Sequence, residues 1–393
     1  MEVNAKCLRS TCVRLVLSRL HMRRHFSAPS GPNSSQPTLE VVGIKEIAEA
    51  LGISIGTVDR ALHARPGISP ITRSKVLKTA QAMGYRPNLA ARFLKSQKAL
   101  TMAVHLPKEI AFFFDAVREG IREAAKPFEP SVRVIFRTYP RLGDGDAELF
   151  EQALSEGTDG IVICPGMPSV VRPLIRKAAR ANVPVVCVAT DAPGTERLTT
   201  VSACPFTSGA MAGELLCRTV HHRGSFAVFT GSLETEDHAQ KVEGFRSSIS
   251  ALTAHREIQA VIETRDDPAA AHARATAVLR KHDSVRGVYV STANSLPVLQ
   301  AIRESGLAGR IAVVTTDLFP ELVPMIRSGR VLATINQRPL TQGRRAFQAL
   351  YEFLVASTCP PATIRVAPHL VMQSNLDLFA EVLPLDTEED TDH

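Results

Sequence analysis

The sequence predicts a small all-α module joined to a larger α/β body of doubly wound parallel sheets. Between Ile44 and Lys98 apolar residues recur at helical spacing between turn residues, and from Leu100 onward short apolar strands alternate with amphipathic helices. Charge divides the chain at the same place. Residues 1–40 carry +4, residues 41–98 carry +7 from ten Lys/Arg against three acids, and the remainder carries −4 from 30 against 34. A basic module on a mildly acidic body is the pattern expected when one end meets a polyanion. At 393 residues, 45% hydrophobic and 22% charged, the chain can bury more than one core.

In the basic module Ile44, Ile47, Ala48 and Leu51 fall at i, i+3, i+4 and i+7, and Gly52 supplies a left-handed stop. Ser54 is placed to cap a second helix whose inward residues are Val58, Ala61 and Leu62. A third helix has Ser69 as N-cap and Pro70 at its first position, runs through Val76, Leu77, Ala80 and Met83, and ends at Gly84. Two short helices joined by a tight turn and packed on a third form a helix-turn-helix unit, whose second helix enters the major groove of DNA. Short helix pairs also occur as ordinary core, so the pattern alone leaves both readings open.

The runs Ile47-Ala48-Glu49, Gly52-Ile53-Ser54, Gly56-Thr57-Val58, Arg60-Ala61-Leu62, Arg65-Pro66-Gly67-Ile68-Ser69 and Gly84-Tyr85-Arg86-Pro87-Asn88-Leu89-Ala90-Ala91 decide between them. This segment resembles, almost position for position, the DNA-binding head and hinge of the lactose/galactose-repressor (LacI/GalR) family of bacterial transcription regulators. The resemblance implies that Ile55, Gly56 and Arg60 face the bases, Arg60 having the chemistry for a bidentate contact to guanine. It places Ser54, Thr57, Arg73 and Lys75 on phosphates. Asp59 stands where the family usually has Ser; it either pairs with Arg60 or accepts from a cytosine amino group. Residues 87–99 resemble the family's hinge helix and linker. That helix is too short to be stable alone, so it folds when paired on DNA; Asn88 and Ala91 lie in it, and Leu94 takes the place of the leucine that wedges into the minor groove.

In the body the expected strands are 101–106, 132–136, 160–164, 183–188, 225–229, 260–262, 287–290 and 311–314. The expected helices are 115–125, 147–156, 170–181, 208–220, 241–252, 269–281, 296–305 and 321–328. No Gly-x-Gly-x-x-Gly follows the first strand, which argues against a dinucleotide-dependent enzyme. The order resembles the type-1 periplasmic-binding-protein fold of the same family's effector domain, two Rossmann-like lobes that bind a small ligand at the carboxyl ends of their strands. The resemblance puts one lobe at 101–203, the other at about 204–336, and a return crossing near Gln337. Cys204 and Pro205 replace the pair usual at the first crossing.

The effector positions implied are Phe113, Phe114, Asp115, Asp191, Lys241, Asn294, Asp317 and Gln337. Aromatic rings, acids, amides and one cation suit a polyhydroxylated ligand. Each position has a structural alternative: Asp115 and Asp191 as helix N-caps, Asn294 and Asp317 as loop caps, the two phenylalanines as core.

The seven cysteines show no metal-ligand spacing and read as reduced thiols of a cytoplasmic protein, and no apolar run reaches 18 residues. Residues 1–40 read as a disordered basic extension, with the Arg- and Ser-rich look of a transit peptide or an over-long start before Met22. Residues 41–86 form the head, 100–385 the effector-binding and dimerisation body, and 386–393 a disordered acidic tail. The expectation is a DNA-binding regulator, a repressor rather than an enzyme. It needs no cofactor or metal, acts as a homodimer on a pseudo-palindromic operator, and answers to a sugar-like effector without contacting a membrane. One rival is a soluble sugar-binding protein that never touches DNA; a second is an enzyme on the doubly wound fold, which would need a nucleophile–base pair or cofactor loop that the twelve histidines do not supply.

Overall fold

The chain divides after Tyr85 into two units; the computed structural model describes residues 43–62, 67–83, 85, 99–220, 224–253 and 256–380. In the first unit, α1 (Ile44–Leu51), α2 (Ile55–Leu62) and α3 (Pro70–Ala82) pack around Ile47, Ala48, Val58, Ala61, Val76 and Ala80. The capping chemistry fixes where each helix starts. The Gly43 N–H donates to Glu46 Oε2 at 2.7 Å, and α1 stops at Gly52, whose φ of 63° is the left-handed conformation open to glycine. Ser54 Oγ accepts the Thr57 N–H at 3.2 Å, and Ser69 Oγ accepts the Thr72 N–H at 3.1 Å. The same Ser-x-x-Thr device thus opens α2 and α3. Leu77, expected to point inward, is 47% exposed. It follows the fully buried Val76, and one residue turns a helix by about 100°.

The second unit holds two six-stranded sheets. Its strands are β1 (Leu100–Pro107), β2 (Val132–Tyr139), β3 (Gly160–Ile163), β4 (Val185–Val188), β5 (Thr199–Ala203), β6 (Ser225–Thr230), β7 (Ile258–Glu263), β8 (Val285–Val290), β9 (Ala312–Thr316), β10 (Ala333–Asn336), β11 (Thr363–Val366) and β12 (His369–Val371). The orders are β11-β5-β4-β3-β1-β2 and β12-β10-β9-β8-β6-β7. Every pairing is parallel except that of β12 with β10. The helices are α4 (Ala111–Ala125), α5 (Asp146–Ser155), α6 (Pro168–Arg180), α7 (Pro205–Thr219), α8 (Glu236–Leu252), α9 (Pro268–Lys281), α10 (Leu296–Glu304), α11 (Val323–Arg327), α12 (Pro339–Ala356) and α13 (Asp377–Ala380). Successive strand residues feed opposite faces, as the two-residue repeat requires. Met102 and Val104 of β1 pack with Ile121 and Phe347, whereas Ala103 packs with Phe150 and Ile175.

The chain passes between lobes three times, not two: after Ala203, after Asn336, and between β11 and β12. The last crossing and the strands β5, β10, β11 and β12 were not expected from sequence. β5 is polar in composition, yet Thr199, Thr200 and Ser202 are buried, and Thr199 Oγ1 donates to the Pro361 carbonyl at 2.7 Å. Two helices also start four or more residues earlier than periodicity indicated, α4 at Ala111 and α8 at Glu236. Among the described residues no helix is long and apolar enough to cross a membrane.

Each lobe has one helix pair whose backbones touch through reciprocal glycines. A Cβ on Gly120 of α4 would stand 2.0 Å from the Leu340 carbonyl oxygen of α12, and one on Gly343 2.1 Å from the Val117 oxygen. In the other lobe a Cβ on Gly209 of α7 would meet the Lys241 oxygen at 1.8 Å, and one on Gly244 of α8 the Phe206 oxygen at 2.0 Å. The second contact holds the backbone of Lys241 itself. Gly209→Ala is therefore expected to destabilise the fold by about 1–3 kcal/mol through overpacking, seen as a lower unfolding temperature. An unchanged transition would show that the two helices separate freely.

Candidate functional site

The exposed face of α2 carries Ile55, which is 53% exposed, with Gly56 and Arg60, while Val58 and Ala61 turn into the core. Arg60 lies one turn after Gly56, and a Cβ at position 56 would be 3.9 Å from both Arg60 Nη2 and Ser54 Oγ. The guanidinium thus reaches back toward Gly56 at the helix start, and the Ser54 and Thr57 hydroxyls there are 2.8 Å apart. Asp59 is half-buried. Burial first, and the Asp59 carboxylate second, push the Tyr85 phenol above its ordinary range. This puts Asp59 near the helical core as well as next to Arg60 in sequence. Arg73 is half-buried on α3 and Lys75 exposed. Asn88, Ala91 and Leu94 lie outside the described residues, as do 1–42 and 381–393.

In the second unit a cleft of about 440 Å³, counted to its open mouth, separates the lobes. One wall has Phe113 and Phe114 of α4, Cys164 after β3 and Thr190 after β4; the other has Thr235, Asp237, His238 and Lys241 at the start of α8, Asp266 after β7, Thr292 after β8 and Asp317 after β9, with Gln337 at a crossing. Every contribution comes from the carboxyl end of a strand or the helix that follows it, where doubly wound sheets bind ligands. The lobes touch around this space. Thr235 Oγ1 donates to the Gly166 carbonyl at 3.0 Å, the Asp237 N–H donates to Thr190 Oγ1 at 3.3 Å, and the Phe112 and Phe319 rings are 4.4 Å apart.

Asp317 is 2% exposed. Its φ of 63° turns it back toward the crossing, where Oδ1 accepts the Gln337 N–H at 2.8 Å and Oδ2 accepts Gln337 Nε2 at 2.7 Å. Burial raises its carboxyl to about 6 against the opposing pull of the Lys241 ammonium and the Gln337 donors. Lys241 Nζ is 2.6 Å from Asp237 Oδ2. His238 Nδ1 accepts the Ser232 N–H at 3.0 Å, so a neutral ring carries its proton on Nε2. At the mouth, burial, with the Asp266 carboxylate adding to it, pushes Glu109 to about 7 despite the Leu142 N–H it accepts.

Of the eight effector positions read from sequence, the cleft brings together Phe113, Phe114, Lys241, Asp317 and Gln337. Both phenylalanines are also core, 5% and 3% exposed. Three positions fall elsewhere. Asp115 is exposed within α4 and ion-paired with Arg118. Asp191 accepts Arg197 Nη2 at 2.6 Å and the Thr200 hydroxyl; burial opposes its ionisation, but these donors outweigh it and hold the carboxyl below its ordinary range. Asn294 donates to the Asp266 carbonyl at 2.8 Å, and its N–H to Thr292 Oγ1 at 3.2 Å. It acts by holding two lining residues. Asp237, His238 and Asp266 were not read from sequence. The available signal was an acid four residues before Lys241, the spacing of a helical ion pair. Among the described residues no cluster of three His, Cys, Asp or Glu could hold a metal ion.

Residues 103–357 match the periplasmic binding protein domain family, and residues 43–88 match the bacterial regulatory proteins, lacI family. Catabolite control protein A of Priestia megaterium is 29% identical over 210 residues, 53% of this chain and 61% of that protein. The matched stretch thus spans less than two thirds of that relative. The D-ribose/D-allose-binding protein of Pseudomonas aeruginosa is 25% identical over 280 residues, 69% of this chain and 82% of that protein. Among solved structures, a solute-binding protein of Burkholderia graminis in complex with D-arabinose superposes with a TM-score of 0.67 at 21% identity, over 71% of this chain and 97% of its own. That likeness concerns the fold of the body. With the two-lobed body matched across most of its length and the helical head matched separately, the chain belongs to the periplasmic binding protein domain family and carries, ahead of that domain, the helix-turn-helix module of the lacI family of bacterial regulatory proteins.

Proposed function

We propose that this protein is a cytoplasmic, sequence-specific DNA-binding transcription regulator, a repressor, that acts as a homodimer on a pseudo-palindromic operator and is controlled by a sugar-like effector. The observation that carries this reading is one chain holding both a basic lacI-type head, with Arg60 exposed on its second helix, and a cleft of the sugar-binding type. Arg60 reads a guanine, Ile55 and Gly56 give apolar contact and close approach, and Ser54, Thr57, Arg73 and Lys75 position the head on phosphates. Asp59 orients Arg60 or meets a cytosine amino group. Asn88, Ala91 and Leu94 form the hinge that pairs on DNA.

An effector held more tightly in one lobe arrangement shifts the population toward it, and the hinge segments of the dimer change their spacing. Once hinge pairing is lost, base-specific contacts go and only phosphate attraction remains. A soluble sugar-binding protein with no DNA role is the second reading, supported by the relatives of the body. It leaves the basic head without a task.

Binding to duplexes selected from a random pool, followed by fluorescence anisotropy over a salt series, tests the proposal. No binding at low salt to any selected duplex would end it. Arg60→Ala is expected to cost about 1–3 kcal/mol of discrimination against non-specific DNA while leaving non-specific affinity nearly unchanged; equal loss on both would place Arg60 on phosphate. For the effector, the raised carboxyl of Asp317 sets the pH window. Its charged form is the acceptor for ligand hydroxyls, so affinity is expected to fall as pH drops through about 6, and Asp317→Asn removes that limb while weakening binding at pH well above it. In the ligand-free protein the same shift has the opposite sign. Its stabilising contribution is full below the ordinary carboxyl range and lost as pH rises through about 6. Calorimetric titration across pH reads the first effect, and thermal unfolding the second.

A further inference from the structure

Two carboxylates from opposite lobes face each other at the mouth of the cleft. Glu109 belongs to the loop after β1, and the loop after β2 holds it in place. The Lys108 N–H donates to the Tyr139 carbonyl at 2.8 Å and the Glu109 N–H to the Pro140 carbonyl at 3.3 Å, while Glu109 Oε1 accepts the Leu142 N–H at 2.7 Å. Ile110 and Leu142, on either side of this acid, line the cleft, and Asp266 lines it from the other lobe. Asp266 is as firmly placed. It and Arg265 are both left-handed, at φ of 55° and 54°; Asn294 Nδ2 donates to its carbonyl at 2.8 Å, and the Thr292 hydroxyl donates to its Oδ1.

Both acids are half-buried, and neither can swing away without breaking those bonds. Like charges fixed where water is scarce repel unless one of them is neutralised. From the loop after β2, Arg141 and Asp144 act on Glu109 in opposite senses, and Asp266 acts on it from the second lobe. Burial first, then the two acids, outweigh the Leu142 N–H and Arg141, and the Glu109 carboxyl stands at about 7. His238 is the other titratable group beside Asp266: a Cβ on Gly231 would meet its Cε1 at 2.2 Å and Asp266 Oδ2 at 2.6 Å. Its Nδ1 accepts the Ser232 N–H, a bond that a second ring proton would break.

We propose that Glu109 and Asp266 form a proton-operated latch between the lobes: with a proton on Glu109 the two carboxyls share the closed mouth, and with both acids charged their repulsion parts the lobes. Closure brings Asp266 up to Glu109 and so tightens its hold on the proton; by linkage, proton uptake favours closure equally. The lobes are held together below about pH 7 and loosen as pH rises through it. This sense is opposite to that of Asp317, whose charge a ligand needs. Effector affinity is then greatest between about pH 6 and about 7, a consequence that rests on reading the cleft as the effector site.

Hydrogen exchange of the full-length protein, without effector or DNA, reads the latch. The Asp237 N–H is the reporter. It lies in the first turn of α8, where a helix offers no acceptor of its own, and it donates across the cleft to Thr190 Oγ1 at 3.3 Å. After correction for the intrinsic pH dependence of exchange, its protection is expected to fall by up to about tenfold between about pH 6 and about 8, the change one group produces when opening lowers its pKa by about one unit. Glu109→Gln keeps an acceptor for the Leu142 N–H and carries no charge, so its protection is expected to stay high and flat over that range. Asp266→Asn also removes the repulsion and is expected to abolish the step, which serves if the first variant does not fold. Wild-type protection that does not change with pH overturns the proposal. So does a step that survives in either folded variant, which would assign it to His238 or Asp317. Because no ligand is present, these results stand apart from the regulator reading, whose own failure would show as absence of DNA binding.

Discussion

The hydrogen bonds between Asp317 and Gln337 join three separate demands at one point. Asp317 follows the central strand β9 of the second sheet, and Gln337 begins the crossing back to the first. A buried carboxylate is stable in its charged form only with strong donors around it. Gln337 supplies two, one from backbone and one from side chain, and Gln342 of α12 in turn donates to the Gln337 carbonyl at 2.8 Å. The acid therefore fixes the path of the chain between lobes while presenting its remaining lone pairs to the cleft. A ligand that bonded to Asp317 would therefore act directly on a segment that joins the lobes.

The lobes themselves are stiff by comparison. In both, two helices cross at backbone contact through glycines, Gly120 with Gly343 and Gly209 with Gly244. Contacts between packed backbones resist sliding because no side chain can change rotamer to make room. Between the lobes there are the three crossings and contacts over the cleft such as Thr235 with Gly166 and Phe112 with Phe319. The α7–α8 contact adds a further constraint. The carbonyl that Gly209 approaches is that of Lys241, so the position of the single lining cation is set by helix packing and not by the ligand.

Much of this was legible in the sequence. The stripe Ile47, Ala48, Val58, Ala61 could be read because a helix-turn-helix buries one face of each short helix, and the strands β1, β3, β4, β6, β8 and β9 because buried parallel strands are continuous apolar runs. What stayed hidden has physical reasons. β5 buries threonine and serine, the Thr199 hydroxyl bonding to the Pro361 carbonyl and that of Thr200 to the Asp191 carboxylate, which composition cannot distinguish from a loop. Asp191 and Asp317 each follow a strand and read alike, but only Asp191 has an arginine six residues on to close it into a structural pair. Asp237 was missed because the apolar period of α8 begins at Lys241, whereas the helix itself begins at Glu236.

The two functional regions also differ in how they use charge. On the head, Arg60 is exposed and long-ranged, as suits attraction to a polyanion whose negative charge lies everywhere along its surface. In the cleft, the lining Lys241 is buried and ion-paired with Asp237. A regulator of the proposed kind would keep its affinity for nucleic acid and its affinity for effector chemically separate. Under the proposed function, phosphate recognition would then belong to the helical head, and the cleft would discriminate among neutral ligands by the directions of its fixed hydrogen-bonding groups.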